Sequence, residues 1–145
     1  MLNANRRDYR KGYEKHYRLY KNLRKENADI NSRRLLLIYS VECGLKYKLL
    51  VKWYEQNIES ILAGEDKRKK DIIKSHSLEL LIKELGQKGN FKFPQLRTVH
   101  GNFVSSEAYH QVYRYCIGID ENAYEKEKRM EEILNDIASW IEEGM

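Results

Sequence analysis

The chain predicts an all-α fold, an up-and-down bundle of about five helices forming one domain over residues 1–145. Three observations carry that reading. Pro94 is the sole proline, and glycine is sparse before Gly86. Apolar residues recur at helical spacing through most of the chain. No stretch alternates in hydropathy with the β-branched enrichment of a strand. A length of 145 residues suits one domain, and it lets the fold bury roughly two-thirds of the surface the unfolded chain exposes.

The first helix is expected from about residue 4 to 26, with Tyr9, Tyr13, His16, Tyr17, Tyr20 and Leu23 on one face. "NADINS" breaks the pattern, and Asn31 or Ser32 can cap the next helix. That helix is expected from about 32 to 62, with Leu35, Ile38, Val41, Leu45, Leu49 and Trp53 on its stripe. "AGEDKRKK" then reads as a connection with Gly64 as the stop. A third helix follows in "DIIKSHSLELLIKELG", where Ser75 or Ser77 can cap a fresh start and Gly86 can close the end. Residues 86–104 have no helical period and hold Gly86, Gly89, Pro94 and Gly101, so they read as an irregular, functional or mobile loop. The fourth helix is expected from Ser105 or Ser106 to about Ile117. The fifth opens at Asn122 with Glu125 at capping-box spacing and carries Met130, Ile133, Leu134, Ile137, Trp140 and Ile141.

The net charge of +5 is unevenly spread. Residues 1–28 hold nine Lys/Arg against three acids, and residues 120–145 hold nine Asp/Glu against three bases. The basic end can meet nucleic acid, through Arg6, Arg7, Arg10, Lys11 and Arg18. It can equally lie beside the acidic end, in the same chain or in a second copy. The longest apolar run, Leu35–Ile38, is too short to span a bilayer, so no membrane association is expected. The N-terminus lacks an apolar signal region. Cys43 and Cys116 have no ligand-like spacing and read as free buried thiols. The expectation is a cytoplasmic protein. There is no metal-ligand set, no glycine-rich phosphate loop ahead of a helix and no serine with an identifiable base, so neither metal nor cofactor is expected.

Glu42 poses the main question, because at helical spacing it falls in the middle of the apolar stripe. It is either a structural ion pair with Lys46, one turn on, or part of a site. His76, in "KSHSLELL", is a satisfied core or capping residue or a contact for phosphate or carboxylate. Arg114 lies four residues after His110 on one helical flank. It can grip a carboxylate or phosphate, or pair with Glu42 or the acidic last helix. In "RTVHGN", Arg97 and His100 combine residue types that suit phosphodiester cleavage, or they are a plain surface loop. The tyrosine face of the first helix either stacks bases or fills the core.

"YSVECGLKYKLL", "SHSLELLIKEL" and "YRYCIGI", followed by an amphipathic helix, resemble the HEPN superfamily (higher eukaryotes and prokaryotes nucleotide-binding), in its branch accompanying minimal nucleotidyltransferases. The matching positions are Glu42, Lys46, His76, Leu78, Arg114 and Tyr115, and the order of elements agrees over about residues 5–142. The resemblance implies a helical bundle, commonly a homodimer, with a cleft for nucleotide or RNA, and a role in toxin–antitoxin or antiphage systems. It places ligand contacts at Glu42, Lys46, His76, Arg114 and Tyr115. The family's ribonuclease branch carries an Arg followed at a short interval by His. Here "YCIGID" follows Arg114, and Arg97 and His100 are too close together. The resulting expectation is a non-catalytic module holding nucleotide, RNA or a nucleotidyltransferase or other defence-system partner. The alternatives are a metal-independent ribonuclease, with His100 or His110 beside Arg114 across a dimer, and a purely structural assembly subunit.

Overall fold

The structure is a computed structural model that describes residues 2–145. It is an all-α bundle with seven α-helices among those residues and one very short hairpin. Helix α1 (Arg6–Lys25) is closed at its start by a capping box: the Asn5 side chain accepts from the Asp8 amide at 2.8 Å, and the Asn5 amide donates to the Asp8 carboxylate at 3.0 Å. Asn27 and Asp29 take positive φ, 51° and 41°. They fold the chain back tightly into helix α2 (Ile30–Lys52). The cap expected at Asn31 or Ser32 is not used. Asp29 occupies the cap position without a side-chain bond.

Helix α2 is the central element, touching α1 and the later helices on several faces. Leu37, Ile38, Val41, Leu45, Leu49 and Leu50 are all buried in it. Gly44 explains how closely its neighbours approach. A Cβ there would lie 2.7 and 2.9 Å from Ile141 atoms and 2.9 Å from the Tyr13 ring.

The expected long second helix is divided. Tyr54 takes φ 56°, a conformation costly for a bulky side chain, and α2 stops at Lys52. Arg6 stabilises this stop: its Nε donates to the Glu55 carbonyl at 2.6 Å and its Nη2 to the Leu50 carbonyl at 3.3 Å. A new helix, α3 (Ile58–Ala63), is capped by Asn57. The segment "AGEDKRKK", read as a connection, contains the start of α4 (Lys67–Lys74), because the Asp66 carboxylate accepts from the Lys69 amide. The chain then breaks at Ser75–Ser77, and Ser77 caps α5 (Leu78–Glu84), as the serines predict. Gly86 follows at φ 76°.

Part of the irregular segment pairs. Strand β1 (Leu96–Arg97) lies antiparallel to β2 (Phe103–Val104), with Leu96 opposite Val104. Two-residue strands are too short to show alternation, so hydropathy carries no sign of them. Helix α6 (Tyr109–Arg114) ends three residues early, where Cys116 takes φ 52°. Both cysteines are free, but neither is fully buried: Cys43 is partly buried and Cys116 is exposed. The last helix, α7 (Tyr124–Glu143), is not opened by an Asn122–Glu125 box. Asp120 instead accepts from the Asn122 amide at 3.0 Å and starts a short 3-10 turn ahead of it.

The tyrosine face of α1 is core. Tyr13, Tyr17 and Tyr20 are buried, and each hydroxyl donates to α7: to the Ala138 carbonyl (2.8 Å), Asn135 Oδ1 (3.2 Å) and Glu131 Oε2 (2.7 Å). The acids of α7 do not pair with the cations of α1. They meet α2 instead. Arg34 Nε lies 2.7 Å from Glu131, and its Nη1 lies 2.9 Å from Glu127, which also accepts from the Tyr113 hydroxyl at 2.7 Å. Burial by itself would raise the Glu131 carboxyl pKa. The hydrogen bonds from Arg34 and Tyr20, with the charges of Arg34 and Arg33, outweigh it and hold the pKa below the ordinary range.

Two outcomes test this frame. Glu131→Gln leaves Arg34 short of its buried partner and should cost about 3–5 kcal/mol at neutral pH in denaturant unfolding. A depressed folded-state carboxyl contributes stability above the unfolded value of about 4.3 and loses it below. The gap between wild type and variant should therefore shrink as pH falls below about 4.3, and a gap that held constant would contradict the ion pair. Gly44→Ala gains up to ~1 kcal/mol in helix propensity but overpacks at roughly 1–3 kcal/mol. Its thermal midpoint should fall.

Candidate functional site

Spacing along α2 places Tyr39, Glu42 and Lys46 on neighbouring positions of one face. The Ser75–Ser77 turn delivers His76 to that face. It is a rigid turn, with the Ser77 amide donating to Ser75 Oγ at 2.9 Å and the Ser77 hydroxyl capping α5. Helix α6 brings His110 and Arg114, one turn apart. Three segments distant in the chain thus converge on one patch.

Glu42 joins them. It accepts from Lys46 Nζ at 3.1 Å, and His76 Nδ1 lies 3.0 and 3.3 Å from its two oxygens. Its side chain is 14% exposed, while Lys46 is buried. A carboxylate accepting at Nδ1 fixes the neutral His76 ring with its proton there, leaving Nε2 as the free acceptor. The ring is 56% exposed, so that nitrogen is reachable from solvent. The His110 ring lies behind it, 4.9 Å between centroids and tilted by 46°. Burial holds the His110 pKa below the ordinary imidazole value. The neighbouring His76 and Arg114 act in the same sense, against an opposing pull from Glu42.

Arg114 borders the patch and makes neither of the salt bridges considered for it. Its Nε donates to the Tyr39 hydroxyl at 3.0 Å, and its guanidinium lies 5.8 Å from the Tyr39 ring centre. Glu127 and Glu131 of the last helix are taken by α2 arginines. Arg114 therefore has no carboxylate partner among the described residues, and it is exposed to solvent. Tyr115 caps α6 beside it with its ring 65% exposed. Cys43, adjacent to Glu42, is no nucleophile: burial first, and then the Glu42 charge, push its pKa to about 11.

Of the sequence candidates, Glu42, Lys46, His76 and His110 meet, with Arg114 and Tyr115 at the rim. His100 does not join them. It sits on the hairpin turn and lines a separate cavity of about 260 Å³ with Thr98 and Gln111. Arg97 is engaged by Asp120 at 4.0 Å and by the Phe103 ring. Arg6 is withdrawn from nucleic-acid duty by its bonds to the end of α2, and Arg10 pairs with Glu14 at 3.0 Å. Arg7, Lys11 and Arg18 remain exposed. Tyr39 was missed, although its position three residues before Glu42 puts the two on one face of α2. Among the described residues, no three His, Cys, Asp or Glu side chains are grouped to hold a metal ion. Among the same described residues, no helix is long and apolar enough to cross a membrane.

The cluster makes a spectroscopic prediction. His110 should titrate below pH 6.5 by NMR. His76→Ala should move its midpoint up, and Glu42→Gln should move it down. Because the unfolded chain takes up the proton first, His110 should cost stability as pH falls through about 6.5. A His110 midpoint above 6.5 would break the cluster apart.

Compared with known proteins, the chain matches no family model, no curated protein and no solved structure.

Proposed function

We propose that the chain is a helical module that binds the phosphate of a nucleotide or of RNA at the His76–His110 face. The observation that carries this reading is the convergence of an accessible imidazole, a buried neutral one and an arginine without a carboxylate partner. Arg114 supplies the charge and its forked donors for a phosphate. Glu42 and Lys46 neutralise each other and hold His76 in place. Tyr115 offers a ring on which a base can stack, and Arg7, Lys11 and Arg18 are available for further backbone contacts. The HEPN-like motif positions Glu42, Lys46, His76 and Arg114 contribute to the same patch, which supports the family resemblance. A nucleotidyltransferase partner, a homodimer and a toxin–antitoxin or antiphage setting belong to this proposal.

One observation favours a second reading, metal-independent RNA cleavage. Glu42 orients His76, and a neutral His110 stands beside it. In such a reaction His110 takes the proton of the 2′-hydroxyl as that oxygen attacks phosphorus. The bond to the 5′-oxygen breaks, and a protonated His76 supplies its proton. Arg114 stabilises the charge on the phosphorane.

RNA binding and cleavage measured together, with chelator present and salt titrated, test both. Binding should weaken steeply with salt. Arg114→Ala should weaken it roughly tenfold, the worth of a charge-assisted contact, without changing the thermal midpoint. Cleavage lost in both His76→Ala and His110→Ala would establish the second reading. Absence of both binding and cleavage would overturn the two together.

A further inference from the structure

A second cavity lies at the start of α2. A cavity of about 290 Å³ opens between the end of α1, the start of α2 and the first half of α7. Arg24, Arg33, Arg34 and Lys128 line it, against Glu131 and Glu132. The balance is four cations to two carboxylates, and the carboxylates are unequally available. Glu131 is committed to Arg34 and to the Tyr20 hydroxyl. It reaches Arg33 only at 3.5 Å. Arg24 has no acid partner, only the Tyr20 hydroxyl at 3.4 Å. Lys128 is exposed and makes no ion pair among the described residues.

Arg33 is the informative residue. Its side chain is 12% exposed. Its Nε is fully buried and has no hydrogen-bond partner among the described residues. A buried charged donor left unpaired is costly. Neither carboxylate of the cavity relieves it: Glu131 is already shared with Arg34, and Glu132 lines the cavity without pairing with Arg33. An anion entering the cavity would give Arg33 a partner, and would also meet Arg24 and Lys128. The cavity is at the small end of ligand-binding volumes, enough for a phosphate group and part of what bears it.

We propose that this cavity is a phosphate-binding site formed by Arg33, Arg24 and Lys128, separate from the His76 face. Arg34 precedes Glu42 by eight residues on α2, or ~12 Å along the axis. The site does not depend on the function assigned to the histidines. Free phosphate and a phosphate monoester share the chemistry.

Calorimetric titration of the full chain tests it, with inorganic phosphate and adenosine 5′-monophosphate in parallel and chloride at matched ionic strength as the reference. Saturable phosphate binding is expected. Arg33→Met should weaken it roughly tenfold, and Lys128→Gln about two- to fivefold. His76→Ala should leave the component that depends on Arg33 and Lys128 unchanged, whatever it does to binding at the histidine face. If Arg33→Met fails to fold, Lys128→Gln decides the matter, since that side chain is outside the core. Measured in the His76→Ala protein, tighter binding of the nucleotide would identify an esterified phosphate as the ligand, and equal or weaker binding the free ion. No binding by wild type, binding indifferent to Lys128→Gln, or binding lost in His76→Ala would each overturn the assignment.

Discussion

The buried pairing of Arg34 with Glu131 and Glu127 sets the arrangement of the bundle. It ties the start of α2 to the first half of α7, and the tyrosine hydroxyls of α1 and α6 close on the same two carboxylates. Apolar contacts alone tolerate sliding and rotation of one helix along another. Ionic groups buried with directional hydrogen bonds do not, because any slip strands a charge in a region of low polarity. The three long helices therefore have one register. The other helices pack in that frame, and α6 carries His110 and Arg114 to the site from it.

The start and the middle of α2 solve the same electrostatic problem differently. At its start, arginines outnumber the acids that can reach them, so positive charge remains. In its middle, Glu42 and Lys46 cancel, and the carboxylate's second task is to steer an imidazole. The placement of Glu42 among apolar residues follows from this. It is half in the core, where Lys46 satisfies it, and half in the site, where His76 does.

What the sequence revealed and what it concealed divide along physical lines. Helical stripes, the pairing of Glu42 with Lys46 and the serine break before α5 are local, and each was legible from spacing within a turn or two. The break at Tyr54 was not, because a bulky residue at positive φ has no signature in composition, and Arg6, which stabilises it, is 49 positions away from Glu55. Asn57 and Asp66 were visible as capping residue types but lay in segments read as helix interior or linker. The charge asymmetry was real, yet its resolution was not readable. The acids of α7 are 97 residues from Arg34, and tyrosines rather than lysines answered for α1. The approach of His110 to His76 and of Arg114 to Tyr39 likewise exists only in the fold.

The patch drawn from α2, the Ser75–Ser77 turn and α6 has a consequence for descent. Its side chains hang from helices and one capped turn, while the stretches between them, at residues 53–66 and 86–104, hold the short helix α3, connections and the hairpin and carry none of it. Such stretches can lengthen or shrink across a lineage without disturbing the chemistry. The intervals separating the motif residues are then free to drift, and only their order and their phase on each helix stay under constraint. Kinship to this chain would be traced through a rotational pattern of few letters, a kind of likeness that counting matched positions along two aligned chains is poorly suited to detect.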